Sequence, residues 1–532
     1  MIDILIKNAR LIDGTSAPAC VADILIKDER ICDVIRHDGA FTPGDSEAKT
    51  VIDAADRIVT PGFVDAHSHS DFNVLINPGA ESKIHQGVTT EIVGNCGASA
   101  FPLRGASLQD ALDENQSYGL EIDWPDAAGY LDRINATRPS VNIATFVGHG
   151  NIRASVIGYE DRPPSQDDSR AMAREVEAAM DAGALGLSTG LIYAPGLFAD
   201  TAEIIELQRT AARRGGIYSS HVRGEGDELP EAAREFLEIV QETDCQGQFS
   251  HIKASGPRNW GKVKAVIDDI SRANDHGGRI WFDKYPYIAS STSLSSLLPR
   301  WIRAGGRDAT LEQLADTSLR KRIITESVKN NEGRDGWNSV TICDAACDRF
   351  GEFQGASIGD IARKTGMTAD DIFIEVLMTS RLDASICNFT MSQDDTDYAI
   401  THPLGMIGSD SGCRAPSGPL SKSCPHPRSY GTFGKYFRDY VRERPLLTLE
   451  NAVAKITSMV CDIFGLKNRG RIAPGCYADV LILDIGRFSD RATYTAPHQF
   501  CSGLDTVIVN GGLTIHNGEA TGRRNGKALR RQ

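Results

Sequence analysis

The chain opens on short runs in which apolar and polar residues alternate, IDILIKNARLID, ADILIKDERICDVI and TVIDAADRIVTPG. That two-residue period is the pattern of strands with one buried face. It returns at the far end, in GRIAPGCYADVLILDIGRF and LDTVIVNGGLTIHNG, where glycine turns break apolar strands. Residues 1–60 and 466–532 are therefore expected to form one small β-sandwich from both chain ends. Between them, apolar strand-like runs (TTEIVGNCG, VNIATFVGHG, ALGLSTGLIY, GGIYSSHV, CQGQFSHIKA, RIWFDKYPY, GMIGSD) alternate with helix-like segments. One of these, DDSRAMAREVEAAMDAG, repeats apolar residues at helical spacing and places Gly183 to end the helix. Regular alternation of strand and helix gives a parallel sheet, and this many repeats within about 400 residues favour a closed α/β barrel, (β/α)8, over a doubly wound sheet. The barrel is expected over 61–465. From Leu294 to Arg349 the alternation weakens and charged residues accumulate, which marks 294–349 as an insertion over the barrel mouth, in the manner of a lid.

A length of 532 residues agrees with two or three units, because single cores stop growing at about 250–300 residues. No apolar run approaches the roughly 18–20 residues that span a bilayer, so no membrane role is expected. The N-terminal MIDILIKNARLIDG alternates like a strand and lacks the basic-then-apolar layout of a signal peptide, which points to the cytoplasm. A net charge of −14 argues against a nucleic-acid partner, whose phosphates need a basic surface. The 12 cysteines, among them Cys20, Cys32, Cys96, Cys245, Cys343 and Cys347, include no C-x-x-C pair and read as mostly free thiols of a reducing compartment.

Candidate chemistry begins with Asp65, His67 and His69 in PGFVDAHSHSD. On an extended strand, residues i and i+2 share a face, so both imidazoles can reach one ion. By itself an H-x-H pair is equally a histidine pair without metal, but the flanking PGFVDAH resembles the metal-binding opening of the amidohydrolase superfamily. Further candidate donors end later strand-like runs: Cys96 in VGNCG, His221 in YSSHVR, His251 in FSHIK and Asp410 in IGSDSG. Zinc accepts a thiolate with two imidazoles readily, and Asp410 can serve as ligand or base. Singly, each has a structural reading as a buried core residue. Their joint placement at strand ends argues for one site at the mouth of the barrel, where such folds carry their chemistry.

HSHSD, NCG, SSHVRGEGD, SHIKASG, NWGKV, the D-x-Y-P-Y run from Asp283 to Tyr287, GSD and HPRSYGTF, taken in order, resemble the D-aminoacylase or N-acyl-D-amino-acid deacylase family over nearly the whole chain. The resemblance implies a tightly held zinc on Cys96, His221 and His251, a weaker second metal site at His67 and His69, and Asp410 as catalytic acid/base. It also implies a small-molecule substrate, an N-acyl-D-amino acid, cleaved to a carboxylic acid and a D-amino acid; the D preference rests on the resemblance alone. One departure is SDSG with Cys413 following, where many relatives have SDG, which bears on the local loop geometry.

A substrate carboxylate calls for cationic or hydroxyl donors near the metal. Lys253 lies two residues after His251 in the register of that run, and Tyr193 and Tyr287 sit near other strand ends; similar positions hold the substrate carboxylate and acyl group in the family. Arg223 follows His221 in the same register and is read either as a substrate contact or as the ion-pair partner of Glu225 or Asp227. Arg300 in SSLLPRWI is read either as a surface arginine of the insertion or as a bidentate contact to an acidic substrate side chain, which would favour N-acyl-D-glutamate or N-acyl-D-aspartate. Two rival functions remain in view. A cyclic amidase of the dihydroorotase or hydantoinase type would share the superfamily opening but usually bridges two metals with a carboxylated lysine, where this chain has Cys96. A non-catalytic scaffold would need neither the donors nor Asp410. The oligomeric state is not encoded in these patterns.

Overall fold

The computed structural model describes residues 1–37, 47–55, 57–331 and 335–531. Parts of the expected first segment (38–46 and 56) and of the expected insertion (332–334), and residue 532, lie outside the described residues.

Eight short strands run in parallel around a barrel: β1 Phe63–Asp65, β2 Val88–Val93, β3 Asn142–Thr145 continued by Val147–Gly148, β4 Gly186–Gly190, β5 Ile217–His221, β6 Gly247–Phe249, β7 Ile280–Lys284 and β8 Gly405–Ile407. The circle closes where the Ala66 amide donates to the Ile407 carbonyl at 3.3 Å and Ser68 bridges Ser411. Most of these strands are buried along their whole length, as β2 is (VTTEIV), because helices cover the outside and side chains fill the inside. The expected helix forms over Gln166–Ala182. Ser165 and Asp168 make a reciprocal capping box at its start, and Gly183 ends it at φ 105°. Its buried residues Met172, Val176, Ala179 and Met180 form one stripe against the barrel.

Both chain ends enter one nine-stranded sheet, with Ile58–Pro61 pairing antiparallel to Val480–Leu483. The first strand, Ile2–Leu11, turns the corner. A register shift between Ile6 and Ala9, with Asn8 at φ 53°, lets its first half pair with Ala48–Asp53 and its last residues with Ile58–Pro61. The VLIL strand serves two cores. Val480 and Ile482 face the sandwich interior with Ile4, Ile6 and Ile24, whereas Leu481 and Leu483 face the barrel.

A third sheet is antiparallel and lies between β7 and β8: Ser290–Ser293, Ser385–Asn388 and Val340–Asp344. It has its own core, including Leu297, Ile342, Phe350, Phe373, Leu377 and Ile386. The sheet therefore draws strands from both sides of the Leu294–Arg349 stretch. Helices Ile358–Thr365 and Ala369–Thr379 and the strand after them repeat the helix-then-strand pattern of the barrel itself, so their sequence does not announce that they belong elsewhere. Among the described residues, no helix is long and apolar enough to cross a membrane.

Candidate active site

The site starts where β1 ends. Asp65 Oδ1 accepts from the amides of His67 (3.3 Å) and Ser409 (2.7 Å), while its Oδ2 accepts from Lys83 Nζ (2.7 Å). Lys83 also donates to Ser409 Oγ (2.7 Å) and to the Ser411 carbonyl (2.6 Å), so one buried ammonium ties the loop after β1 to the loop after β8. Replacing Lys83 with Met would leave Asp65 and Glu91 facing each other in a dry interior. The expected loss is about 3–5 kcal/mol of stability, measured as a lower denaturation midpoint.

His67 and His69 lie just beyond β1 rather than within it. Both converge on Asp410 Oδ1, at 3.6 Å from His67 Nε2 and 3.1 Å from His69 Nε2. His67 Nδ1 lies 3.3 Å from Asp283 Oδ2 of β7; a proton held there fixes the ring and leaves Nε2 facing inward, 3.4 Å from Cys96 Sγ. On the other side, Cys96 Sγ lies 3.3 Å from His251 Nε2. His221 completes this second group, and neither of its buried ring nitrogens has a hydrogen-bond partner among the described residues. The donor atoms of Cys96, His221 and His251 lie within 4.8 Å of one another, as do those of His67, His69, Cys96 and Asp410. Cys96 belongs to both groups.

Local backbone aims these side chains. Cys96, His251 and Asp410 all sit at positive φ (53°, 35° and 51°), a region that non-glycine residues rarely adopt and that accumulates at functional sites. Around Cys96 the VGNCG glycines answer to space. A Cβ on Gly94 would lie 2.3 Å from the Phe146 carbonyl oxygen, and one on Gly97 would lie 2.6 Å from the Gly190 amide.

Burial alone would raise the Cys96 thiol pKa, but the facing His67 and His251 rings hold it well below its usual range. Asp410 is likewise lowered well below the carboxylate range: burial opposes this, and the Arg428 guanidinium, with Nη1 2.8 Å from Oδ2, and the histidines outweigh it. Burial lowers His221, keeping it a neutral imidazole. A thiolate, a carboxylate and unpaired buried imidazole nitrogens converging on one another fit a divalent cation of the zinc type. These groups form the floor of a cavity of about 630 Å³, walled by Tyr193 and by Ser290, Ser291 and Thr292 of the third sheet.

Residues 50–515 match the profile of the Amidohydrolase family. The chain is 36% identical to an N-acyl-D-glutamate deacylase of Alcaligenes xylosoxydans xylosoxydans, across 100% of this chain and 97% of the relative. It is 33% identical to a D-aminoacylase of the same organism, across 99% and 98%. The chain belongs to the D-aminoacylase family of amidohydrolases. The crystal structure of an N-acyl-D-glutamate deacylase from Bordetella bronchiseptica, complexed with zinc and a phosphonate inhibitor, matches it at a TM-score of 0.82 and 32% identity over 99% of both chains.

Within this D-aminoacylase-family site, two of the expected substrate contacts line the cavity. Lys253 places Nζ 2.6 Å from both His251 Nδ1 and Glu225 Oε1, and the Tyr193 hydroxyl lies 2.9 Å from Thr292 Oγ1. Lys253 reaches His251 through the loop after β6, which ends at Phe249, and not along a strand face. Three other expected contacts lie off the lining. Tyr287 is buried against His426. Arg223 pairs with Glu235 at 2.8 Å, neither with Glu225, which Lys253 engages, nor with Asp227, which pairs with Arg258. Arg300 is half exposed, 3.0 Å from Asp161 and over the Phe198 ring. The extra serine of SDSG is accommodated: Ser411 bridges Ser68 and its hydroxyl lies 2.6 Å from Ser429 Oγ. Sequence reasoning passed over Arg428 and read Glu225 only as an ion-pair option for Arg223. Glu225 stands four residues after His221 in the loop that follows β5, and Arg428 stands inside the HPRSYGTF run.

Proposed function

We propose that this protein hydrolyses the amide bond of N-acyl-D-amino acids to a carboxylate and a free D-amino acid, with zinc on Cys96, His221 and His251. The observation that carries this reading is the meeting of both donor groups at Cys96, with Asp410 in reach, on the floor of one cavity that also presents the cations Lys253 and Arg428. The D preference is supported by the relatives, two of which are deacylases of D-amino-acid derivatives by name.

Zinc bound there supplies Lewis-acid activation of water and of the acyl carbonyl. The remaining work belongs to side chains. Arg428 holds Asp410 by Oδ2, which leaves Oδ1 to take the proton of the attacking water and hand it to the departing amine as the C–N bond breaks. Lys253 and Arg428 are the cations placed to bind the substrate carboxylate, and Tyr193 bounds the cavity beside them. Together they hold the amide against the proton carrier.

The second donor group uses the same Oδ1, facing His67 and His69. A second cation would therefore compete with the proton for that oxygen. Activity is expected to rise with the first equivalent of zinc and fall as excess zinc is added, read from initial rates during a titration of chelated protein. All twelve cysteines are free thiols, which supports assignment to the reducing cytoplasm. The test of the whole reading is zinc content together with amino-acid release from N-acetyl-D- and N-acetyl-L-amino acids with acidic, apolar and aromatic side chains. About one tight zinc with turnover confined to the D series supports it; zinc with no turnover of either series overturns it.

A further inference from the structure

We propose that Cys343 and Cys387 are an oxidisable thiol pair, which peroxide closes to a disulfide behind the wall of the active-site cavity, lowering turnover until it is reduced. The functional consequence rests on the deacylase reading above; the disulfide itself does not.

The pair arises from an irregularity in the third sheet. Val340–Asp344 runs antiparallel to Ser385–Asn388, with Thr341 opposite Cys387, Ile342 opposite Ile386 and Asp344 opposite Ser385. The register shifts between Ile342 and Asp344, so Cys343 has no residue opposite it. Its Sγ lies 2.9 Å from Cys387 Sγ, and both side chains are buried. A disulfide bond is about 2.05 Å long, so closure asks for a shift of about 0.9 Å. Neither thiol belongs to the metal-donor groups, and no step of the hydrolysis uses them. Asp344, directly after Cys343, lines a second cavity of about 1030 Å³ that shares Tyr193 with the first, so open space comes within one residue of the bulged thiol.

The chemistry balances with peroxide as oxidant. One thiol sulfur attacks peroxide, the O–O bond breaks, an S–O bond forms and one water leaves. The second sulfur then displaces the sulfenic hydroxyl, which takes up the remaining thiol proton and departs as a second water, and the S–S bond forms. Two electrons pass from the thiols to peroxide.

The link to turnover crosses one strand. Ser385–Asn388 pairs on its other edge with Ser290–Ser293, placing Ser291 opposite Cys387. The Ser291 carbonyl accepts from Arg428 Nη2 at 3.1 Å, and Arg428 holds Asp410 through Nη1. A contraction at Cys387 therefore pulls on the strand that positions the catalytic carboxylate's partner.

The zinc-loaded full-length protein, treated with hydrogen peroxide, is expected to lose about 2 Da and to yield a linked peptide containing Cys343 and Cys387. Its kcat/KM on an N-acetyl-D-amino acid falls about ten- to a hundredfold with zinc still bound, and dithiothreitol restores it. Cys387→Ala keeps its activity through the same treatment. A link between Cys343 and Cys424, whose amide donates to the Cys343 carbonyl at 2.7 Å, would overturn the pairing, as would the absence of any linked peptide. Equal inactivation of Cys387→Ala, or loss of zinc through oxidation of Cys96, would overturn the coupling. Reduced protein inactive on every N-acyl-D-amino acid would count against the deacylase reading and with it the consequence for turnover, while peptide mapping still decides the thiol pair.

Discussion

Asp410→Asn lowers kcat by about 100- to 10,000-fold, the range contributed by a positioned proton carrier, while one tight zinc stays bound. The amide is nearly isosteric with the carboxylate, so the loop after β8 keeps its tie through Lys83, Ser409 and Ser411. Its nitrogen or carbonyl oxygen cannot accept the water proton at neutral pH, and Arg428 loses a charged partner at 2.8 Å. The substitution also removes a donor from the group of His67, His69 and Cys96 but none from Cys96, His221 and His251. Metal analysis beside steady-state kinetics separates the two effects: near-wild-type kcat with intact zinc would place the proton carrier elsewhere.

Cys96→Ala is expected to abolish tight zinc binding and to reduce activity by at least about a thousandfold, because it removes the one donor shared by both groups. The remaining imidazoles of one group, His221 and His251, would meet the ion as a pair without the anionic sulfur. Folding should register the change as well. A ligand present at about 1,000 times its dissociation constant stabilises the folded state by about 4 kcal/mol. A chelator should therefore lower the melting temperature of the wild-type protein and leave that of Cys96→Ala unmoved. A chelator-sensitive melting temperature in the variant would show that the tight ion is held without this sulfur.

What the sequence made legible was what is encoded locally. The two-residue alternation located the strands at the chain ends, the helical stripe and Gly183 marked the helix over Gln166–Ala182, and the strand-end positions of the histidines, Cys96 and Asp410 pointed to one site. Long-range polar pairings were not legible. Arg223 found Glu235, on the following helix Leu229–Thr243, and Arg300 found Asp161, 139 positions earlier in the chain; neither choice leaves a trace in spacing. Arg428 opens the helix Arg428–Phe437, 18 residues from Asp410, and the irregular chain between the two has no period from which their meeting could be read. The later half of the third sheet was hidden for the opposite reason: helix-then-strand order there matches the barrel's own period, and only the antiparallel pairing of Val340–Asp344 with Ser385–Asn388 shows where it belongs.

The pairing of Ile58–Pro61 with Val480–Leu483 sets the order in which the molecule can be completed during synthesis. Ile58–Pro61 is buried throughout, yet its antiparallel partner is made about 420 residues later, which at a translation rate of about 5–20 residues per second is a wait of roughly 20–85 s. During that interval an apolar strand edge next to the first barrel strand has no neighbour on that side, the condition under which nascent chains aggregate or engage chaperones. The terminal sheet is thus completed late, and the yield of native protein depends on how well the ribosome-bound chain is protected until Val480–Leu483 emerges.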